Sequence, residues 1–293
     1  MTPPGWRDPV GIVGMGLIGG SLGLDLQAAG LAVKGLVHRE ATAARARQRG
    51  LAGEVSTDPA VLADCGLVVL ALPLDRLLAP DPALVAALPP AAVVTDVGSV
   101  KAPVLARWLP LLGGRFVGGH PMSGTAAAGV EAGQPQLFRR RPWVGTPDAG
   151  TDPRALATVR KLADLVGARW LCCEAAAHDR AVALISHLPV LVGAALLRTA
   201  DRAAAEAPSG AGDDLPDLVR ALASSGFADT TRVGGGNPEL GMLMARGNRE
   251  ALREALARYR LELQDLEGLV EREDWQGLRA ALAACARLRP EFL

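Results

Sequence analysis

Lysine is scarce in this sequence of 293 residues. Only Lys34, Lys101 and Lys161 stand among 31 basic residues, so arginine supplies nearly all of the positive charge. The 31 acidic residues bring the formal net charge to +0, and a chain without a basic excess lacks the charge pattern of proteins that bind nucleic acid or anionic membranes. We therefore expect neither nucleic acid nor a membrane among its partners.

Cysteine is also rare, and its spacing excludes two classes of protein. The four cysteines form neither a CxxC pair nor a zinc pattern, which predicts a reduced cytoplasmic protein without a metal site. The first nine residues lack the pattern of a targeting peptide. The longest apolar run, 181–197, contains His187 and Pro189 and is short for a bilayer span. We predict that it is a buried helix.

The length and composition fit two soluble domains. Hydrophobic residues make up 49% and charged residues 21% of the chain, as in a globular enzyme, and the length is sufficient for two cores. Short apolar runs alternate with helical periodicity as far as Cys173, and only helical patterns follow. We predict an α/β Rossmann-like domain at 1–173 and an all-helical dimerisation domain at 174–293.

The predicted elements rest on periodicity and on glycine and proline boundaries. The predicted strands are 10–13, 32–37, 67–72, 92–95, 115–118, 143–146 and 169–173. The predicted helices are 40–49, 74–88, 153–166, 175–205, 214–224, 238–246, 248–271 and 275–287. A loop rich in proline, glycine and serine is expected at 206–213.

A glycine-rich turn near the N-terminus predicts a dinucleotide site. It follows the first strand and opens a helix, which is the context in which GxGxxG binds a pyrophosphate. Gly14 permits the tight turn, Gly16 leaves room for the phosphates, and Gly19 lets the helix lie close to the strand. The helix N-terminus offers free N–H groups to an anion. The predicted cofactor-binding residues here are Gly14, Gly16, Leu17, Ile18 and Gly19.

The end of the second strand favours NADP over NAD. An NAD site usually has an acidic residue there for the ribose 2′-hydroxyl, whereas this chain has His38 and Arg39, which suit a 2′-phosphate. The alternative is a solvated Arg39, with Glu40 contacting the ribose of NAD. Leu72 and Pro73, at the end of a later strand, are expected to border the cofactor.

Two polar clusters follow strand ends in the first domain. Ser99 lies near the expected nicotinamide position and is predicted to be catalytic and to contact the cofactor; its other role would be the N-cap of the next helix. Lys101 would balance phosphate or substrate charge, or else be an ordinary surface residue. His120 stands between glycines and Pro121, and histidine titrates near neutrality. We predict that His120 is the general base and that nearby Thr125 binds the substrate.

The helical half supplies two further candidates. His187 lies within an apolar helix and needs a polar partner, either a substrate or a core hydrogen bond. Arg232 precedes three glycines and is suited to hold a carboxylate, with a loop-fixing salt bridge as the alternative. Both are predicted to bind substrate.

An apolar seam runs along the predicted helix 248–271. Its members alternate spacings of four and three: Leu252, Leu256, Tyr259, Leu263, Leu266 and Val270. Such a seam is more often intramolecular core than a partner site. The amount of apolar helix in this half nevertheless predicts a homodimer.

These motifs together resemble the prephenate/arogenate dehydrogenases of tyrosine biosynthesis, in a version similar to the compact cyanobacterial arogenate enzymes. The matching stretches are GMGLIGGSL (14–22), DVGSVK (96–101), GGHPMSGT (118–125), HDRAVALISHLPV (178–190) and SSGFADTTRVGGGNPELG (224–241). They occur in order and cover nearly the whole chain.

The resemblance implies a Rossmann-like domain, a helical dimerisation domain and an active site between them. It implies oxidative decarboxylation of prephenate or arogenate, with hydride transfer to NADP or NAD. It also implies that His120 takes the ring-hydroxyl proton, Ser99 supports that histidine, Arg232 binds a substrate carboxylate, and His187 lines the pocket. Ala228 stands where relatives often have a basic residue, so the choice between the two substrates stays open.

Two other interpretations remain. A β-hydroxyacid dehydrogenase or imine reductase shares the same plan, but such enzymes usually use a lysine or tyrosine in the helical half. That half has no lysine and only Tyr259. A non-enzymatic NADP-sensing protein would need no convergence of His120, Ser99 and Arg232.

Overall fold

The computed structural model describes residues 8–124, 128–205 and 215–292. Its strands lie in the first part of the chain: β1 Val10–Val13, β2 Val33–Leu36, β3 Glu54–Ser56, β4 Leu67–Leu70, β5 Val93–Asp96, β6 Phe116–Pro121, β7 Pro142–Thr146 and β8 Arg169–Cys172. They form one eight-stranded sheet in the order β3-β2-β1-β4-β5-β6-β7-β8. All neighbouring strands are parallel except β6 and β7.

The helices of the first part are α1 Leu17–Ala28, α2 Glu40–Gln48, α3 Leu74–Leu78, α4 Pro82–Ala87, α5 Ala102–Leu112 and α6 Pro153–Leu165. Those of the second part are α7 Ala175–Val182, α8 Leu188–Ala205, α9 Leu215–Leu222, α10 Ser225–Thr231, α11 Pro238–Gly247, α12 Arg249–Glu271 and α13 Trp275–Leu288. In the described residues that follow β8, every regular element is helical. The predicted fold class, a Rossmann-like sheet domain followed by helices, is confirmed.

The central strands of the sheet are buried on both faces, which explains their sequence. All four residues of β1 and of β4 are buried, as their continuous apolar runs require. One core cluster packs on the face covered by α1, α2 and α6, and the other on the face covered by α3, α4 and α5. Successive residues of β1 contribute to opposite faces, with Ile12 in the first cluster and Val13 in the second.

Several element predictions need correction. The prediction omitted β3 and α10, each only a few residues long. The single helix predicted at 74–88 is two short helices, α3 and α4. Pro80 and Pro82 stand at the break, and proline there prevents continuous helical hydrogen bonding. The predicted loop 206–213 lies outside the described residues.

The apolar helix of the second part is not buried within one chain, contrary to the prediction. The span Ala175–Arg202 is long and apolar enough to cross a membrane by length and composition, and 22% of its most apolar window is buried. A π-helical segment, Ala183–His187, interrupts it between α7 and α8. The seam of α12 is similarly divided: Leu252 is buried, whereas Leu263, Leu266 and Val270 are exposed.

Candidate active site

The glycine turn after β1 has the shape that a dinucleotide requires. Gly14 has φ +96°, and a Cβ on Gly19 would lie 1.9 Å from the Gly14 carbonyl oxygen. These two residues therefore let α1 start tightly against the strand. A Cβ on Gly16 would meet nothing within 4 Å, and Gly16 caps α1 without a side-chain hydrogen bond. The open space beside free helix N–H groups fits a pyrophosphate.

The end of β2 presents two basic side chains to solvent. His38 and Arg39 are exposed, and Arg39 is the N-cap of α2. Glu40 forms an ion pair with Arg47 on the same helix, so its carboxylate is already engaged. Leu72 lies across the crevice, where a Cβ on Gly14 would approach its side chain to 3.7 Å.

A buried ion pair holds the strand that carries His120. Lys101 Nζ pairs with Asp96, both fully buried, and donates to the Gly119 carbonyl oxygen at 2.6 Å. Asp96 Oδ1 accepts from Gly119 N at 3.0 Å, and Asp96 Oδ2 accepts from Gly98 N at 2.8 Å. Lys101 is therefore not a surface residue, and that prediction was wrong; its charge is paired with Asp96. The pair fixes the peptide groups on both sides of Gly119, immediately before His120.

Three buried side chains form a hydrogen-bonded chain between the two parts of the protein. His120 Nδ1 lies 2.8 Å from His178 Nε2, and His178 Nδ1 lies 2.8 Å from Asp179 Oδ1. The imidazole rings meet edge to face, with centroids 5.0 Å apart. His120 comes from the end of β6, whereas His178 and Asp179 come from α7. This histidine chain thus joins the sheet to the helical part.

Asp179 also caps a helix of the sheet domain. Its Oδ1 accepts from Lys101 N at 2.7 Å, and its Oδ2 accepts from Ala102 N at 2.9 Å. These N–H groups begin α5, whose N-cap is Lys101 and has no side-chain cap of its own. Ser99 is therefore not the N-cap, because Asp179 satisfies the helix start from across the domain boundary.

These contacts set the tautomers that His120 and His178 adopt when both rings are uncharged. A carboxylate only accepts hydrogen bonds, so His178 Nδ1 carries the proton given to Asp179. His178 Nε2 is then an acceptor, and His120 Nδ1 must be the donor. The remaining ring nitrogen, His120 Nε2, therefore bears a lone pair. This is the protonation state that a general base needs.

His187 has the opposite tautomer, fixed by Asn248. Both hydrogens of Asn248 Nδ2 are used, one toward Asp179 O at 2.7 Å and the other toward His187 Nδ1 at 3.2 Å. His187 Nδ1 is thus an acceptor, and Nε2 carries the proton. Nε2 is buried without a hydrogen-bond partner among the described residues. An N–H donor in that state is available to a ligand.

Burial keeps His120 and His187 uncharged. It lowers the pKa of His120 well below 6.5, and the neighbouring His178, Lys101 and His187 lower it further. Burial also lowers the pKa of His187 to about 4, against the opposing effect of Asp179. Both imidazoles are therefore neutral near pH 7, His120 as an acceptor and His187 as a donor.

The other predicted site residues have different placements. Ser99 is half-buried in the turn between Asp96 and Lys101. It follows Gly98, whose N–H donates to Asp96. Arg232 is exposed at the end of α10 and forms no ion pair with a described residue, so the predicted loop-fixing salt bridge is not found there. Its loop packs on α8, where a Cβ on Gly234 would lie 2.2 Å from Ala194 N. Thr125 lies outside the described residues.

The sequence prediction gave no role to His178, Asp179, Asn248 or Asp96. The pair His178-Asp179 stood inside a quoted motif at the start of a predicted helix. An adjacent histidine and aspartate at a helix start is a usable signal, since both are polar residues in an otherwise apolar segment. Asn248 offered no such signal, because its partners are distant in sequence.

The dinucleotide turn and the Rossmann-like sheet, with a neutral histidine buried after a strand end, are the features of a nicotinamide-dependent dehydrogenase. Comparison with known families identifies which one. The family described as "Prephenate dehydrogenase, nucleotide-binding domain" matches residues 22–172, and "Prephenate dehydrogenase, dimerization domain" matches residues 174–284. The chain belongs to the prephenate dehydrogenase family, whose members are oxidoreductases acting on prephenate or arogenate.

Individual relatives agree over nearly the full length. The chain is 27% identical to prephenate dehydrogenase of Bacillus subtilis over 93% of this chain and 72% of that protein. The crystal structure of Synechocystis arogenate dehydrogenase matches with TM-score 0.80 and 39% identity, covering 97% of this chain and 100% of that one. Prephenate dehydrogenase of A. aeolicus, in complex with hydroxyphenyl propionate and NAD+, matches with TM-score 0.88 and 28% identity, covering 99% and 100%.

The neutral buried histidines predict a specific loss of stability in acid. Their pKa values are lower in the folded chain than the value of about 6.5 for an unfolded histidine. As the pH falls below about 6.5, the unfolded state binds protons that the folded state does not. Each histidine then lowers the free energy of unfolding by up to about 1.4 kcal/mol per pH unit, for His187 until the pH reaches about 4.

Urea unfolding at several pH values measures this effect. His187→Gln is expected to flatten the acid loss of stability relative to the unchanged chain. Equal slopes for the two proteins would contradict the neutral, buried state of His187.

Proposed function

We propose that this chain oxidises arogenate, or prephenate, at the ring carbon that bears the hydroxyl group. The hydride goes to a bound nicotinamide, and the ring carboxylate leaves as CO₂. Loss of the carboxylate makes the ring aromatic, which drives the reaction. The observation that carries this proposal is the neutral, buried His120 with its lone pair on Nε2.

His120 is the proposed general base. Its Nε2 accepts the proton of the ring hydroxyl as the carbon loses hydride, so that negative charge does not accumulate on oxygen. A positioned base of this kind contributes about 10² to 10⁴ in rate. The buried pair Lys101–Asp96 supports this role, because it fixes the peptide that precedes His120.

The substrate carboxylates have two proposed partners of different character. Arg232 would hold one carboxylate by a bidentate, charged contact. His187 would donate from Nε2–H, the buried N–H that has no described partner. Ser99, half-buried between Asp96 and Lys101, would support His120 and contact both substrate and nicotinamide. Thr125 is proposed as a substrate contact from its motif alone.

The proposed cofactor site follows the first two strands. Gly14, Gly16 and Gly19, with Leu17 and Ile18, would hold the pyrophosphate at the start of α1, and Leu72 and Pro73 would border the crevice. NADP is the preferred cofactor in this proposal. Exposed His38 and Arg39 can pair with a 2′-phosphate, and the engagement of Glu40 by Arg47 weakens the NAD alternative.

Arogenate is the preferred substrate in this proposal. The 39% identity to an arogenate dehydrogenase over nearly the whole chain supports it. Ala228 bears no charge, so it would not select the pyruvyl side chain of prephenate by an ion pair. Prephenate is the alternative substrate.

A cytoplasmic homodimer is the proposed assembly, with the domain boundary at 173/174. The match of residues 174–284 to a dimerization domain supports it. Exposed apolar side chains on the helical part, among them Leu263, Trp275 and Leu282, would be covered by a second copy.

Turnover of the purified protein tests the proposal directly. We expect kcat/KM to be highest for arogenate with NADP+, when arogenate and prephenate are each assayed with NADP+ and NAD+. His120→Ala should lower kcat by about 10²- to 10⁴-fold with little change in KM. Arg232→Ala should mainly raise KM, because it removes binding that is similar in the ground and transition states.

Each outcome has a distinct meaning. Absence of turnover with both substrates would contradict the proposed activity. Near-normal kcat in His120→Ala would remove His120 as the base. A preference for prephenate with NAD+ would be compatible with His120 as the base. It would contradict the proposed preference for arogenate and the proposed preference for NADP.

The cofactor preference is tested by Arg39→Ser. Loss of a charged hydrogen bond to the 2′-phosphate, worth about 1.5–3 kcal/mol, should lower kcat/KM for NADP+ by about 10- to 100-fold and leave NAD+ unaffected. Arg160→Ser, an exposed arginine of α6, is the matched control and should change neither value. An equal effect of Arg39→Ser on both cofactors would contradict a 2′-phosphate site at this position.

A further inference from the structure

We propose that His178 is the second proton acceptor of this site. When the substrate hydroxyl gives its proton to His120 Nε2, the proton on His120 Nδ1 moves to His178 Nε2. The positive charge then resides on His178, beside Asp179. This inference rests on the proposed role of His120 as base.

The geometry provides each step of the transfer. His120 Nδ1 and His178 Nε2 are 2.8 Å apart. This is an ordinary hydrogen-bond distance, so a proton can pass from one nitrogen to the other without movement of the rings. His178 Nδ1 is 2.8 Å from Asp179 Oδ1, so a protonated His178 forms an ion pair. A charged His120 without transfer would have no carboxylate in direct contact. The charge is therefore more stable on His178.

The bonds and electrons balance over the reaction. The substrate O–H bond breaks as His120 Nε2–H forms, and His120 Nδ1–H breaks as His178 Nε2–H forms. The C–H electron pair leaves with the hydride, and the O–H pair becomes the new C=O bond. The C–CO₂ pair then enters the ring as CO₂ departs, which leaves an aromatic oxyanion. Reversal of both transfers returns the proton to that oxygen.

A closed chain suits this chemistry because the overall reaction releases no proton. All three members are buried, with exposures of 9%, 3% and 6% for His120, His178 and Asp179. The chain ends at a carboxylate whose oxygens already accept from two backbone N–H groups. The two histidines can thus hold a proton for the duration of one turnover and return it.

Other charged groups surround the pair, and they determine where the proton is held. Lys101, balanced by Asp96, is on the His120 side and lowers its pKa. His187 is on the α7–α8 side and also lowers it. Asp179 is the only carboxylate bonded to either ring in the described part of the chain, and it contacts His178. The carboxylate of Asp179 beside His178 and the charge of Lys101 near His120 favour His178 as the final position of the proton.

His178 acts through His120 and is a positioning residue, and two substitutions separate its possible roles. In His178→Gln the amide oxygen accepts from His120 Nδ1, so it keeps the orientation and tautomer of His120 but takes up no proton. His178→Leu, of similar size, loses both functions. Thermal unfolding and dinucleotide binding of each variant check that the fold is intact.

The single-turnover rate of hydride transfer, followed by nicotinamide absorbance, is the measurement. For His178→Gln we expect a rate about 10- to 100-fold lower than the unchanged enzyme, with the acid limb of its pH profile moved to lower pH, since His120 alone holds the proton. The rate of the unchanged enzyme is also measured in mixtures of H₂O and D₂O. A plot of this rate against the deuterium fraction should be curved, because two protons move in the same step. His178→Gln should give a straight line.

A straight line for the unchanged enzyme overturns the inference without any variant. An identical acid limb and rate in His178→Gln, together with a loss in His178→Leu, also overturns it and leaves His178 with an orienting role. His120→Gln distinguishes the underlying proposal: an active His120→Gln enzyme refutes His120 as the base, whatever the result at His178.

Discussion

The carboxylate of Asp179 is the constraint on which the rest of the site depends. It begins α5 through Lys101 N and Ala102 N and orients His178 at the same time. One side chain from the helical part thus bonds the start of α5 in the sheet domain and also orients the ring that contacts His120. The carbonyl of the same residue binds Asn248, which orients His187. The contact between the two parts and the orientation of the two histidines therefore depend on the same residue.

Two buried acidic residues hold different parts of His120 in place. Asp96, paired with the fully buried Lys101, fixes the backbone before it, and Asp179 fixes its ring through His178. Removal of one partner of a buried ion pair typically lowers the free energy of unfolding by about 3–5 kcal/mol. The Lys101–Asp96 pair therefore holds the peptide groups of Gly119 firmly. Burial, together with the nearby His178, Lys101 and His187, lowers the pKa of this imidazole and keeps it neutral. The proposed base is therefore a fixed, uncharged ring with a free lone pair.

The sequence predicted the parts that local patterns determine. The glycine turn, the strand ends and the location of His120 follow from short-range spacing, and the sheet and helical regions were recovered with small shifts at their ends. The contacts of Asp179 and Asn248 join residues about 70 positions apart, which no periodicity reveals. Lys101 was misjudged because a buried lysine depends on a partner that only the folded chain supplies. The predicted burial of the long apolar helix was also wrong, since the described residues of this chain cover only 22% of its most apolar window.

The most direct test of this account is the tautomeric state of the histidines, measured by ¹⁵N NMR of protein labelled only in histidine. The chain has only 4 histidines, and single substitutions assign each signal. We predict that His120 and His178 carry their protons on Nδ1 near neutral pH, and that His187 carries its proton on Nε2. A proton on Nε2 of His120 would turn its lone pair toward His178 and contradict the account.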